Sequence, residues 1–213
     1  YYGDEQGFTG DGGDKLARQD MMPSLVPEYN DDDLIGTSAT TGDDNFDATH
    51  PIYQALADYA AAYSDHQALR TGAQIHRHSQ AGPGIYAFSR IDRTEQTEYL
   101  VAFNNAAAAA QATFPTGSPD TSFSLVISEG GAPAVLTADG SSEVTMDVAP
   151  FGLAVYRADA PIPANPSAPG ITITSLTDGQ EVTLGVENLD GHDVVDRIEV
   201  AAEVTGNVFA EVT

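Results

Sequence analysis

Tyr1-Tyr2-Gly3-Asp4-Glu5-Gln6-Gly7-Phe8-Thr9-Gly10-Asp11-Gly12-Gly13-Asp14 opens the chain and runs on through Ala17-Arg18-Gln19-Asp20-Met21. Two aromatics suit a β-strand, and the glycine after them lets the backbone turn or approach another segment closely. Beyond Gly3 lies an acidic, glycine-rich loop that carries Arg18. Gly-Asp clusters are also the ordinary chemistry of a solvated turn, so local composition leaves both readings open. The segment beyond the loop is more telling. A strand, a Gly-rich loop and then a helix make half of a βα repeat, and loops of that kind carry the active site of a (β/α)-barrel.

The helix is announced at Thr49-His50-Pro51. Thr49 can cap and Pro51 suits a first helical turn. Ile52, Leu56, Tyr59 and Tyr63 then recur on one face, and the alanine-rich filler favours helix as far as Gly72. Ile52, Leu56 and Tyr59 are therefore expected to be buried against the Tyr1-Tyr2 strand. Between loop and helix, residues 23–47 are turn-rich, with Asp31-Asp32-Asp33 and Asp43-Asp44. Aspartate-dense loops can supply oxygen ligands to calcium, but this spacing matches no EF-hand loop and solvation is the commoner role.

From Ala73 the period changes to alternation. Strands are expected over residues 85–91, 97–103, 111–114, 122–128, 135–137, 143–148 and 152–157, separated by turn clusters such as Gly82-Pro83-Gly84. Many short strands of this kind argue an antiparallel sandwich. The alanine run at 106–110 has helix propensity but lies between strands, and is read as a turn or the entry to a strand. His76 and His78, two apart, should share a strand face, where a solvated pair is a commoner outcome than a metal pair. Pro161, Pro163, Pro166 and Pro169 mark a stiff linker, after which strands are expected over 171–175, 182–186, 197–204 and 208–212, with a turn at Asp178-Gly179.

Composition narrows the partners. Asp and Glu number 32 against 8 Lys and Arg, a formal net charge of -24. Such a field repels nucleic acid and anionic membranes and suits a salty medium. There is no cysteine, hence no disulfide and no thiolate metal site. No apolar run approaches spanning length, so membrane insertion is not expected.

The opening run resembles the end of the last barrel strand and its adjoining loop in the α-amylase superfamily of glycoside hydrolases. The match lies at Tyr1, Tyr2, Gly3, Glu5, Gly7, Arg18 and Met21. Softer matches come later in the same order, at Phe103-Asn104-Asn105 and at Phe151-Gly152-Leu153-Ala154-Val155-Tyr156. The resemblance implies a mostly β chain in four parts. Residues 1–72 would be the C-terminal end of a catalytic (β/α)8 barrel and 73–159 the amylase-type β-sandwich. Residues 160–170 would be the linker and 171–213 a truncated immunoglobulin-like β module. It implies a secreted, extracellular enzyme, associated in some cases with the cell surface, whose signal peptide lies outside this stretch. The enzyme would cleave or transfer α-glucosidic bonds of starch-like glucans by a retaining mechanism, which needs two carboxylates flanking the bond. In that family these groups, and an Asn-His-Asp motif, precede the matched segment. No Asn-His-Asp occurs here, and no catalytic residue is assigned.

What the resemblance leaves to this chain is substrate wall: Asp14 and Arg18 on the loop, Phe8 stacking on a sugar, and Glu5 bracing the strand end. No cofactor or metal is expected within the chain, Ca2+ being left to the intact parent. The expected partner is an α-glucan polysaccharide or oligosaccharide, and oligomeric state is left open. The competing class is a non-catalytic tandem β-sandwich, a carbohydrate-binding or cell-surface module, since sandwiches host many functions. A calcium-dependent adhesin rests only on the aspartate runs. The first 72 residues discriminate, because half a βα repeat has no place in a tandem sandwich.

Overall fold

The computed structural model describes residues 3–164, 170–175, 177–178 and 201–205. The chain divides into two compact units, 1–162 and 163–213. Helices come first in the first unit: α1 (Pro27–Asn30), α2 (Pro51–Asp65) and α3 (Gln67–Thr71). Eight strands come next, β1 (Ala73–His78), β2 (Ile85–Ile91), β3 (Glu98–Asn104), β4 (Ala110–Pro115), β5 (Ser122–Glu129), β6 (Val135–Thr137), β7 (Glu143–Val148) and β8 (Leu153–Ala158). The chain is mostly β and its paired strands are antiparallel, as the alternation predicts.

The strands form a six-stranded sheet, β1-β2-β3-β8-β5-β6, faced by the pair β4-β7. Alternation explains the packing. On β2, Ile85, Ala87 and Ser89 point inward, while Tyr86 faces solvent. They meet Phe114, Val144, Met146 and Val148 of the second sheet in one apolar core, with Phe123 and Tyr156. β3 breaks the alternation because both its faces are covered. Leu100 and Ala102 enter the core, while Tyr99 and Val101 lie under Ala68 of α3. A strand buried on two sides reads as a continuous apolar run. The alanine run bends at 106–108 and enters β4 at Ala110. Buried Asn104 donates to the carbonyls of Ala108 and Ala149, each at 2.9 Å, and accepts from the Ala106 amide.

One expectation about β1 fails. His76 lies opposite Phe88 and His78 opposite Ala87, because the register shifts between them. A bulge adds one residue and so reverses which face the next side chain takes. His76 consequently meets Tyr86 on the outer face, at 5.8 Å between ring centroids, and His78 meets Phe114 in the core, at 6.3 Å. The same bulge turns Arg77 inward. Its guanidinium donates to Glu98 at 2.7 Å, the two side chains being 5% and 0% exposed. Glu98 also accepts from Ser89 Oγ, the Gly117 amide and Ser118 Oγ, so both carboxylate oxygens are satisfied. Buried charges persist in folds on that condition.

The helical segment differs from expectation in three ways. The N-cap of α2 is His50, whose Nδ1 accepts from the Ile52 amide, while Thr49 bonds to Asp47. The helix does not run unbroken to Gly72, because His66 adopts an extended conformation between α2 and α3. Nor is the Ile52, Leu56 and Tyr59 face buried: Leu56 is 50% exposed and its neighbours are only half-buried. Tyr59 and Ala62 turn toward the sheet, leaving Tyr53, Leu56 and Tyr63 open. The expected partner strand at Tyr1-Tyr2 lies outside the described residues, although α2 does contact the short helical turn Asp4–Gln6.

Within the second unit, β9 (Gly170–Ile173) pairs antiparallel with β10 (Ala202–Thr205). The strands expected over 182–186 and 208–212 lie outside the described residues.

Candidate functional site

The opening loop is held by turns that only glycine fits. Gly3 has φ +90°, and a Cβ there would stand 2.5 Å from the Phe8 ring. Gly7 has φ +76°, and a Cβ would stand 2.1 Å from the Ile35 carbonyl oxygen. The close approach lets the Ile35 amide donate to Gly7 O at 2.8 Å. Two further side chains staple the loop to the segment after it. Thr9 Oγ1 donates to Asp33 O at 2.8 Å, and buried Gln19 donates to Asp32 at 2.6 Å. Several of the aspartates in the acidic runs thus serve as acceptors within turns. Asp43 accepts from Thr40 and Asp44 from the Phe46 amide in the same way.

The four expected site residues separate on this loop. Asp14 and Arg18 come together as an i,i+4 ion pair of 2.7 Å, and both are largely exposed. Each is positioned to meet a solute arriving at the loop, the arginine as a donor and the aspartate as an acceptor. Phe8 is half-buried against Gly3, so its ring is partly committed to the fold. Glu5 is half-buried in the Asp4–Gln6 turn. Gln6 ties that turn to the start of the α2 segment, donating to Asp47 O at 3.1 Å. Asp14 and Arg18 make an exposed polar wall. Among the described residues no three His, Asp or Glu side chains converge as metal ligands do.

A second concave feature has no signature in the sequence. An open cleft of about 310 Å³ lies between α2 and the outer face of the six-stranded sheet. Tyr59, Tyr63, Phe88 and Phe103 line it, with Val101 and Arg90 among the others. Phe88 stands 5.6 Å from Tyr86 and 6.3 Å from Phe103, ring to ring. The pKa of the Tyr59 hydroxyl is pushed up to about 12, first by burial and then by its hydrogen bond to the Glu129 carboxylate. Arg90 is committed to structure: it donates to the carbonyls of Ala68 and Leu69 and so caps α3. In the sequence Phe88 and Phe103 are simply alternating strand residues. Only the placement of α2 and α3 over one part of that face makes a cleft of them.

Residues 76–159 match the protein family described as "Alpha amylase, C-terminal all-beta domain". A protein named "Alpha-amylase" from Streptomyces lividans is 37% identical over 203 residues, which is 95% of this chain. The chain spans 22% of that relative's length. Among solved structures, the Nostoc punctiforme debranching enzyme aligns with 49% of this chain and 21% of its own, at 18% identity and a TM-score of 0.42. An isomaltulose synthase from Erwinia rhapontici NX5 in complex with D-glucose aligns with 50% and 18%, at 17% identity and a TM-score of 0.39. Both structural likenesses are loose.

Proposed function

We propose that the chain, whose residues 76–159 match the α-amylase C-terminal all-β family, is the C-terminal part of a glycoside hydrolase acting on α-glucans. The observation that carries the reading is the 37% identity to a protein named α-amylase, which runs through 95% of the chain. A likeness confined to the sandwich would fit a free-standing module equally well. One that takes in nearly the whole chain favours the hydrolase reading.

On this reading residues 1–72 end the catalytic barrel, 73–159 form the sandwich behind it, 160–170 are a linker and 171–213 begin an immunoglobulin-like module. Asp14 and Arg18 supply polar substrate wall and Phe8 an aromatic edge, with Glu5 bracing the strand end. The nucleophile and the acid/base that retaining cleavage of starch-like glucans requires reside in the preceding part of a secreted parent. The apolar surfaces have a place in the same scheme. Tyr53, Leu56 and Tyr63 are 40%, 50% and 53% exposed along one helix. An open stripe of that kind marks an interaction surface, and we assign it to contact with the rest of the barrel.

The coding sequence upstream of Tyr1 tests this directly. An Asn-His-Asp a short distance before it, with Asp→Asn at that motif abolishing glucan cleavage by the intact protein, is the expected result. Its absence, in a protein inert toward α-glucans, would leave the non-catalytic sandwich module as the reading.

A further inference from the structure

His66 sits where α2 ends and α3 begins, and it serves both. Its amide donates to Ala62 O at 3.2 Å, and its carbonyl accepts from the Leu69 amide at 3.0 Å. Its ring crosses to the sheet: Nδ1 lies 3.1 Å from the Tyr99 hydroxyl, with the ring centroids 5.4 Å apart, edge to face. On the other side of that hydroxyl, Arg157 Nε lies 3.1 Å away. The roles of the three groups turn on where the hydroxyl proton points. An arginine Nε can only donate, so the Tyr99 oxygen accepts from it, and its hydroxyl proton is free to be given to His66. In that arrangement Nδ1 accepts and the neutral ring carries its proton on Nε2.

We propose that His66 is a pH-operated latch that holds the α2–α3 junction on the six-stranded sheet when neutral and releases it when protonated. Protonation places an N–H on Nδ1 against the hydroxyl it had been accepting from. It also sets a second cation beside Arg157. Charged groups face the ring from several elements. Asp58 and Asp65 of α2 share its cleft and favour the charged form, while Val126 and Ile127 of β5 bring no charge. Glu95, in the β2–β3 turn, is 3.8 Å from Arg157 Nη2 and offsets it in part, and Asp92 also acts on Tyr99. Burial first, then the Arg157 guanidinium, hold the imidazole below its ordinary range despite Asp65. A base held below its ordinary value stabilises the closed state fully above about 6.5, and that contribution is lost as pH falls through the lowered value. With the latch open, Arg90 and the apolar contacts of Ala68 remain as ties between α3 and the sheet.

The test is imidazole nitrogen NMR on the whole chain, with His66 assigned by loss of its signal in His66→Gln. The latch requires a neutral Nε2–H ring at pH 7, with a midpoint below those of exposed histidines. Amide exchange at His66 and Leu69, corrected for intrinsic rate, should rise between pH 7 and 5. The rise should approach about tenfold for each unit of depression. In His66→Gln, which accepts without titrating, this rise should vanish, and in Tyr99→Phe the His66 midpoint should move up. An Nδ1–H ring, an ordinary midpoint, or an exchange rise equally present in His66→Gln would each overturn the proposal. The nitrogen spectrum of the unsubstituted chain decides the tautomer even where a variant does not fold.

Discussion

Glu98→Gln is the substitution whose consequence is most fully determined by the geometry. Glu98 is wholly buried, and each of its oxygens accepts two hydrogen bonds. Oε1 takes Arg77 Nη2 at 2.7 Å and Ser89 Oγ at 2.5 Å, while Oε2 takes the Gly117 amide and Ser118 Oγ, both at 2.8 Å. The serine hydroxyls can rotate to suit an amide. The Arg77 and Gly117 N–H groups cannot, so a glutamine NH2 confronts a fixed donor whichever way it turns. Arg77 then loses the carboxylate of Glu98. Breaking such a pair from one side costs about 3–5 kcal/mol. For a unit this size that lowers the melting midpoint by roughly 6–20 °C, at about 2–4 °C per kcal/mol. Urea unfolding followed by circular dichroism measures it. Arg77→Met combined with Glu98→Gln should cost less than the two single changes together, because the two side chains are directly paired. A loss under about 1 kcal/mol for Glu98→Gln, or strict additivity in the double variant, would refute the reasoning.

Three further outcomes are expected. Leu56→Ala should cost under about 1 kcal/mol in this chain, where the side chain is half exposed, but about 2–5 kcal/mol in the intact parent if the barrel covers it; equal costs in the two would remove the proposed interface. Phenolate titration should show one component near 12 that disappears in Tyr59→Phe. Because that value is raised, its stabilising contribution is whole below about 10 and lost as pH rises through about 12. Melting midpoints should climb with added sodium chloride, since a net charge of -24 repels itself and salt screens it; a steady fall would count against this.

Much of the sandwich was legible because alternation is a direct image of burial. In the segment 85–91, Ile85, Ala87 and Ile91 alternate onto the inner face together with Ser89, while Tyr86 and Phe88 take the other. The β6 and β7 spans were equally plain. Register was not legible, since a bulge between His76 and His78 leaves no mark in composition yet sends the two rings to opposite faces. Nor was the burial of Glu98, whose partners come from β1, β2 and the turn after β4, distant in sequence and joined only by the fold. The helix periodicity located α2 but not its covering, because a spacing shows that a face is apolar without showing what lies against it. His66 was invisible for a related reason: alanine-rich flanks favour an unbroken helix, and the ring that interrupts it is held by Tyr99, 33 residues on. At the opening loop the Asp14–Arg18 spacing permitted the pair that forms, whereas the half-burial of Phe8 depends on the φ of Gly3.

Whether this chain is the non-catalytic end of an α-glucan hydrolase is decided by reducing-sugar release from starch, maltodextrin and pullulan, measured side by side for the chain and for its intact parent. Retaining cleavage needs two carboxyl groups about 5–5.5 Å apart across the bond. Asp4, Glu5, Asp11, Asp14 and Asp20 all lie on the one opening loop, and on the proposed reading the wall that faces it belongs to the preceding part of the parent. The expected result is an active parent and no detectable hydrolysis by the chain alone. Cleavage by the chain at an ordinary amylase rate, abolished by Asp4→Asn or Glu5→Gln, would contradict it, as would a parent inert toward every α-glucan.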